Sequence, residues 1–163
     1  MILVIGAKGG VGTTSVAAAL ARAGDAIGAD LADGGLAGRL ERPTWALSQL
    51  AFALPAALHE RVDDIVRRRA TLLWTPDCAL STEKTVSVLR DIDNRCPIIT
   101  DGGIELPPGV EQLAEAVVIV TADDDIARWH ERRLLARFPG AIVIEGTREA
   151  AADLADRLFG PGD

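Results

Sequence analysis

Tyrosine is absent from this sequence, and aromatic residues make up only 4% of its 163 positions. Its core must therefore be built mainly from Ala, Val, Leu and Ile. Hydrophobic residues still reach 48% and charged residues 25%, the balance of an ordinary soluble globular protein. The length suits one compact domain spanning residues 1–163, and no internal repeat or linker divides it.

Positive charge is also scarce, because 17 Lys and Arg stand against 24 Asp and Glu, a formal net charge of −7. This balance argues against nucleic acid as a partner. The one dense basic cluster, Arg67 to Arg69, is interpreted as a solvated helix end. The amphipathic tail over 149–159 has an acidic polar face, so we expect it to pack on the protein and not to contact a membrane surface.

Long apolar runs are missing, so no segment is expected to span a membrane. The apolar start, Met1 to Gly6, is too short for a signal peptide, and no basic region precedes it. The only cysteines, Cys78 and Cys96, lack metal-ligand spacing and are expected to be a reduced pair. Together these absences predict a cytoplasmic protein.

Short apolar runs alternate with helical patterns along most of the chain. Strands are predicted at 2–5, 26–29, 70–74, 116–121 and 141–146, and within CPIITDGG at 96–103. Helices are predicted at 14–23, 82–93, 125–138 and 149–159. This alternation is typical of an α/β fold with a mostly parallel, doubly wound sheet flanked by helices.

The segment 31–69 carries a weaker pattern. Residues 31–40 read as a loop, and two helices are predicted over 45–54 and 56–69. Pro55 is expected to break the helical pattern between them.

The stretch GAKGGVGTTSVAAALA (6–21) joins the first strand to the first helix. A glycine-rich turn into a helix at this edge of an α/β sheet binds anions. Its backbone N–H groups are predicted to form a nest for phosphate oxygens; they belong to Gly9, Gly10, Val11 and Gly12. Thr14 offers the hydroxyl with which such loops coordinate Mg²⁺. The alternative is a ligand-free turn, but Lys8 beside Thr14 favours a phosphate site. The G-x-G-x-x-G dinucleotide fingerprint does not occur here.

The residues KGGVGTTS (8–15) resemble the deviant phosphate-binding loop of the MinD/ParA family, whose pattern is K-G-G-x-G-K-[ST]. Lys8 matches the signature lysine, which in that family reaches phosphates across a nucleotide-sandwich dimer. Ala7 stands where the loop's first glycine is usual, and Thr13 replaces the loop's own lysine. The resemblance implies a P-loop NTPase-like fold of the SIMIBI class, with ATP or ADP and Mg²⁺ as cofactors.

The resemblance extends along the chain in the family's order. In AIGADLADGGL (26–36), Asp30 matches the first acid of the switch I pattern D-x-D. Ala32 stands at the second acid, which orients the attacking water in active members. PIITDGG resembles the Walker B strand and switch II, with Asp101 as the acid on the Mg²⁺ side. No counterpart of the family's adenine-contacting Asn occurs in IVIEGTR (142–148).

Within the family, the sequence is most similar to the CpaE/TadZ-like branch of septum-site-determining and Tad pilus assembly proteins. Loops of that branch often carry a small residue in place of the lysine, as Thr13 does here. Some of its members have a receiver-like domain ahead of the loop, whereas here the first strand starts at Met1. Because Thr13 brings no charge and Ala32 cannot position a water, hydrolysis is expected to be slow or absent, and no catalytic residue is predicted.

Three functions remain open at this point. The first is a nucleotide-dependent spatial regulator that forms a homodimer through its nucleotide face and recruits a septum or secretion/pilus assembly protein. The second is a non-catalytic pseudo-ATPase scaffold that dimerises or binds a partner without nucleotide. The third is an ATP-dependent enzyme of the same superfamily, which the residues at 13 and 32 disfavour.

Other chemistry-bearing residues receive simpler interpretations. His59 and His130 lie far apart on helical segments, with no nucleophile placed for a triad. The run Asp123 to Asp125 is interpreted as a helix cap, with a metal cluster as the alternative. The cysteines do not flank switch II as an iron-protein relative would require.

Overall fold

The computed structural model of the chain describes residues 1–53, 55–74, 82–103, 106 and 109–160. Seven strands in these ranges form one sheet, and each neighbouring pair is parallel. The strands are β1 (Ile2–Gly6), β2 (Ile27–Asp30), β3 (Thr44–Ala46), β4 (Thr71–Leu73), β5 (Ile98–Asp101), β6 (Ala116–Thr121) and β7 (Ile142–Glu145). Their order is β3-β4-β2-β5-β1-β6-β7. The α/β fold class is therefore confirmed.

The described ranges also contain seven α-helices, of which the last follows β7. They are α1 (Thr13–Ala23), α2 (Gly35–Leu40), α3 (Leu47–Ala51), α4 (Pro55–Arg68), α5 (Thr82–Asp93), α6 (Asp125–Arg137) and α7 (Arg148–Phe159). A 3-10 turn over Val110–Leu113 precedes β6. In the described ranges, none of these helices combines the length and apolarity needed to cross a bilayer.

The sheet is covered on both faces, as its continuous apolar strands require. On one face, Val4 packs with Leu20 of α1 and Leu154 of α7. On the other, Leu3 and Ile5 pack against α6. Further along that second face, buried side chains from several elements close the core; they include Ile27, Leu50, Ile65, Leu72 and Leu89. The tail helix therefore packs on the protein through its apolar side, as predicted.

The helix predicted over 45–54 is wrong at its start. Thr44–Ala46 is instead a parallel strand at the edge of the sheet, where Trp45 pairs with Leu72. The aromatic ring packs against the core, so strand pairing outweighs the local helical pattern. Pro55 separates the two helical segments, as predicted, and it is also the first residue of α4. A proline at this position loses no helical hydrogen bond.

The loop predicted over 31–40 is also wrong, because it contains α2. This helix shows no clear apolar periodicity, and its start depends on a contact from β2. The buried Asp30 carboxylate accepts the backbone N–H groups of Leu36 at 2.8 Å and Ala37 at 3.2 Å. Gly34 takes a left-handed φ of 86° just before the first turn. Elsewhere the predicted helices and strands are present, and their ends match the prediction or differ from it by one residue.

Strands β2, β5 and β1 lie side by side at the centre of the sheet. Because they are parallel, their carboxyl ends meet at one edge, and Asp30 is the direct register partner of Asp101. The glycine-rich turn begins at the end of β1, beside both acids. The fold thus gathers the predicted site residues at one edge, where ligands bind in open α/β sheets.

Candidate functional site

The glycine-rich turn forms one wall of an open cleft of about 790 Å³. Gly10 and Gly12 take left-handed φ values of 79° and 94°, which favour glycine. Gly12 caps α1 without any side-chain hydrogen bond, so the helix start leaves N–H groups for another acceptor. Most of the predicted loop residues line the cleft; they are Lys8, Gly9, Gly10, Gly12, Thr13 and Thr14.

Of the two departures from the family pattern in this turn, Ala7 lies outside the cleft lining and Thr13 lies within it. Ala7 is buried outside the cleft lining, and its N–H donates to the Val120 carbonyl at 2.8 Å. Val11 is buried among core side chains, so any contribution it makes to a ligand comes from its main chain. The Thr13 hydroxyl oxygen lies so near the backbone at Gly6 that a Cβ there would approach it to 2.4 Å.

Asp101 is fully buried at the end of β5 and carries an unsatisfied oxygen. Its Oδ1 accepts the Gly103 N–H at 3.1 Å, and the Thr14 hydroxyl lies near the carboxylate. Its Oδ2 has no hydrogen-bond partner. Burial raises the pKa of Asp101, Thr14 and Gly103 oppose the rise, and the nearby acids Asp30 and Asp33 add to it. An orphaned buried carboxylate oxygen beside a hydroxyl is suited to a cation or a cation-bound water.

Asp30, the other predicted acid, has its oxygens occupied by the backbone. Oδ1 accepts the N–H groups of Ala32 and Gly34, both at 3.2 Å, and Oδ2 accepts those of Leu36 and Ala37. A carboxylate has about four lone-pair sites, and all are used here. Its first role is therefore to hold the start of α2, and Asp30 does not line the cleft.

Ala32, which matches the second acid of the switch I pattern in the sequence resemblance, lines the cleft. Its methyl group packs close to Gly103, whose φ of 59° and lack of a Cβ permit the approach. Asp33, one residue further on, also lines the cleft, and one of its oxygens accepts the Gly35 N–H at 3.1 Å. The carboxylate at this edge of the cleft thus comes from position 33 and not from position 32.

Lys8 is paired within its own chain. Its Nζ lies 2.5 Å from Oδ2 of Asp124, with both side chains about one third exposed. The other Asp124 oxygen caps α6 by accepting the Ala127 N–H at 2.9 Å. The Lys8 ammonium is the main cause that lowers the pKa of Asp124. This pair ties the loop to the start of α6.

The loop after β7 contacts the glycine-rich turn directly. A Cβ added to Gly146 would lie 1.5 Å from the Val11 carbonyl oxygen, and one on Gly12 would lie 2.8 Å from the Gly146 carbonyl oxygen. The two backbones therefore touch directly. Only glycine at 146 allows this contact without displacing the turn.

The remaining sequence candidates lie away from the cleft lining. His59 is 76% exposed on α4, while His130 packs edge-on against Trp129 on α6. Asp124 confirms the cap interpretation of the acidic run through its bond to Ala127. Cys96 is buried and free, with a pKa raised by burial. Cys78 lies outside the described residues.

Sequence reasoning missed several residues of this site. Arg39, Asp33 and Trp74 line the cleft. Asp33 and Arg39 lie in the segment 31–40, predicted as a loop, whereas Trp74 lies at the end of the predicted strand 70–74 and carried no signal of a site. Asp124 was found only as a cap, and its pairing with Lys8 gives no sequence signal. Gly146 carried one weak signal, a glycine placed directly after a predicted strand.

No protein-family model matches the chain, and no curated protein matches it. Among solved structures, the chain is similar to the ParA family ATPase from Chlorobium tepidum TLS, with a TM-score of 0.60 and 15% identity. The similarity covers 99% of this chain and 83% of that one. The chain therefore has the fold of a ParA-like P-loop NTPase. At this identity the similarity shows the fold alone, and function has to be argued from the site.

Gly146→Ala should destabilise the protein and disturb the glycine-rich turn, because the new methyl group would overlap the Val11 carbonyl. We expect a loss of about 2 kcal/mol or more in the free energy of unfolding, measured by urea denaturation. Gly38→Ala is the matched control, since nothing lies within 4 Å of its added Cβ and helix propensity favours Ala. Equal stability of the Gly146 variant and wild type would contradict the close contact.

Asp101→Asn should stabilise the protein at neutral pH, because the buried charge has an orphaned oxygen. The raised folded-state pKa means that the ionised carboxylate disfavours folding at any pH above it. This penalty disappears as pH falls through the folded pKa towards the unfolded value of 3.8. The advantage of the Asn variant in urea unfolding should therefore shrink between pH 7 and pH 4. An advantage that grows on acidification would contradict the raised pKa.

Proposed function

We propose that this chain is a nucleotide-binding P-loop domain of the MinD/ParA type, spanning residues 1–163, that acts as a nucleotide-dependent spatial regulator. The observation that carries the proposal is the cleft in which the glycine turn, Thr14 and the orphaned oxygen of Asp101 face the same space. A septum or pilus assembly protein of the kind served by the CpaE/TadZ-like branch is the partner that the sequence resemblance favours.

The residues of the cleft fit a nucleotide with Mg²⁺. Thr14 and Asp101 would hold the ion directly or through water, and phosphate oxygens would complete its shell, as Mg²⁺ prefers. Bound there, Mg²⁺ would neutralise part of the phosphate charge. A single carboxylate is enough for such a site, and the described residues contain no group of three metal-ligating side chains that would indicate another kind. The open N–H groups of Gly12 and the first turn of α1 would bind phosphate oxygens.

Hydrolysis is proposed to be slow. The methyl group of Ala32 stands at the cleft edge where the family pattern carries an acid. The nearby Asp33 keeps one oxygen engaged with Gly35, which limits its freedom to orient a water. The uncharged Thr13 offers no cation to stabilise charge during phosphoryl transfer.

Dimerisation through the nucleotide face would require Lys8 to leave Asp124. The two side chains are partly exposed, so their exchange for contacts with a phosphate costs little desolvation. The same pair also favours the second candidate, a scaffold that does not need nucleotide, because in this arrangement Lys8 is already satisfied within its own chain.

Calorimetric titration with Mg·ATP and Mg·ADP tests the binding site. We expect wild type to bind both, and Thr14→Ala to weaken binding in Mg²⁺ about tenfold because the hydroxyl beside Asp101 is lost. Removing Mg²⁺ with a chelator should weaken wild type more than the variant. Thr44→Ala, on the exposed edge strand, is the control and should bind like wild type. Absence of any nucleotide binding by wild type would reject the proposal and leave the scaffold.

Sedimentation analysis with and without Mg·ATP tests the role of Lys8. We expect ATP to promote dimers of wild type, and Asp124→Asn to dimerise more strongly, because Asn can still cap α6 but no longer holds the ammonium. Lys8→Ala should abolish the response, whereas Lys84→Ala, which removes the chain's other lysine, should not. Dimerisation that is indifferent to ATP in all four proteins would favour the scaffold.

A further inference from the structure

Arg39, on the last turn of α2, is the second cation that lines the cleft. Among the described residues of that lining, the only basic side chains are Lys8 and Arg39. Lys8 is paired with Asp124. Arg39 takes part in none of the ion pairs found in the described ranges, so its guanidinium charge is available to a ligand.

The position of Arg39 is defined by contacts at both ends of α2. At its start, Asp30 holds the first turn, and a Cβ on Gly35 would lie 3.3 Å from the methyl group of Thr14. At its end, the Arg22 guanidinium of α1 donates to the Arg39 carbonyl. The helix that carries Arg39 is thus packed directly on the helix that begins at the phosphate-binding turn.

Arg39 also stands at the junction of the cleft with a second groove. This groove, of about 610 Å³, runs between α1, α2 and α7, and it shares two lining residues with the cleft, Ser15 and Arg39. A ligand whose phosphates lie on the turn and whose remainder extends into the groove would pass this guanidinium.

The charge balance of the cleft gives Arg39 a role. Asp33 and Asp101 line it, Asp30 lies beside them, and Thr13 brings no charge where the family pattern has a lysine. A polyphosphate entering this edge needs a cation from the protein as well as Mg²⁺. A guanidinium suits the task, because its planar set of donors matches phosphate oxygens.

We propose that Arg39 binds the phosphate chain of a nucleoside di- or triphosphate and supplies the positive charge that is missing at Thr13. This inference rests on the proposed function. In this proposal the positive charge that binds phosphate comes from Arg39 on α2. In the family pattern it comes from a lysine of the glycine-rich turn, at the position of Thr13. Because Arg39 lies at the junction and not at the far end of the cleft, ADP and ATP should both depend on it.

The test compares the affinities of wild type, Arg39→Ala and Arg157→Ala for Mg·ATP, Mg·ADP and tripolyphosphate. Arg39→Ala should weaken all three on the order of ten- to a hundredfold, as expected for one charge-assisted contact. Arg157→Ala removes the same charge from α7, near the end where Phe159 meets Gly24 at the far end of α1. It should stay within about twofold of wild type, which excludes a general effect of net charge.

Charge rescue separates a ligand contact from a structural role. Thr13→Lys placed in the Arg39→Ala background should recover most of the lost affinity, and Arg39→Lys should retain part of it. A folded double variant without recovery would overturn the role given to the charge, and Arg39→Gln replaces Arg39→Ala if that variant fails to fold. Wild-type affinity in Arg39→Ala would overturn the inference alone. Wild type that binds none of the three ligands would overturn the proposed function with it.

Discussion

The buried carboxylate of Asp30 is the contact on which the cleft depends. A six-residue helix is too short to persist alone in water, and α2 exists because this carboxylate accepts four backbone N–H groups around its first turn. The arrangement brings Ala32, Asp33 and Arg39 to one rim of the cleft. The sequence resemblance implies that Asp30 serves the nucleotide site, but in this structure its carboxylate binds backbone N–H groups of its own chain.

The electrostatics of the site follow from the sheet register. Asp30 and Asp101 are direct partners on neighbouring strands, so two buried acids lie side by side. One is satisfied by N–H groups, whereas the other keeps an oxygen without a partner. A buried carboxylate oxygen without a partner destabilises the fold and would be stabilised by a bound cation. Functional sites commonly lower the stability of a protein in this way.

The central strands and the glycine turn could be predicted from the sequence, because each has a strong local signal. β1 and β6 are continuous apolar runs, and the turn contains closely spaced glycines before an Ala-rich helix. The edge strand at Trp45 and the helix α2 could not, since one depends on pairing with β4 and the other on a carboxylate from β2. Contacts between residues far apart in the sequence, such as the ion pair of Lys8 with Asp124, produce no periodic pattern in the sequence from which they could be predicted.

The direct backbone contact between Gly146 and the glycine-rich turn has a consequence for how a ligand would bind there. A turn wedged against the loop after β7 has its left-handed glycines already set. Little conformational freedom is then left to lose when an anion arrives, and rigid sites lose less of their gross interaction energy to ordering. The glycine-rich turn is therefore expected to have the same conformation with and without an anion. A displacement of the loop after β7 is expected to displace the turn as well, because the two backbones touch.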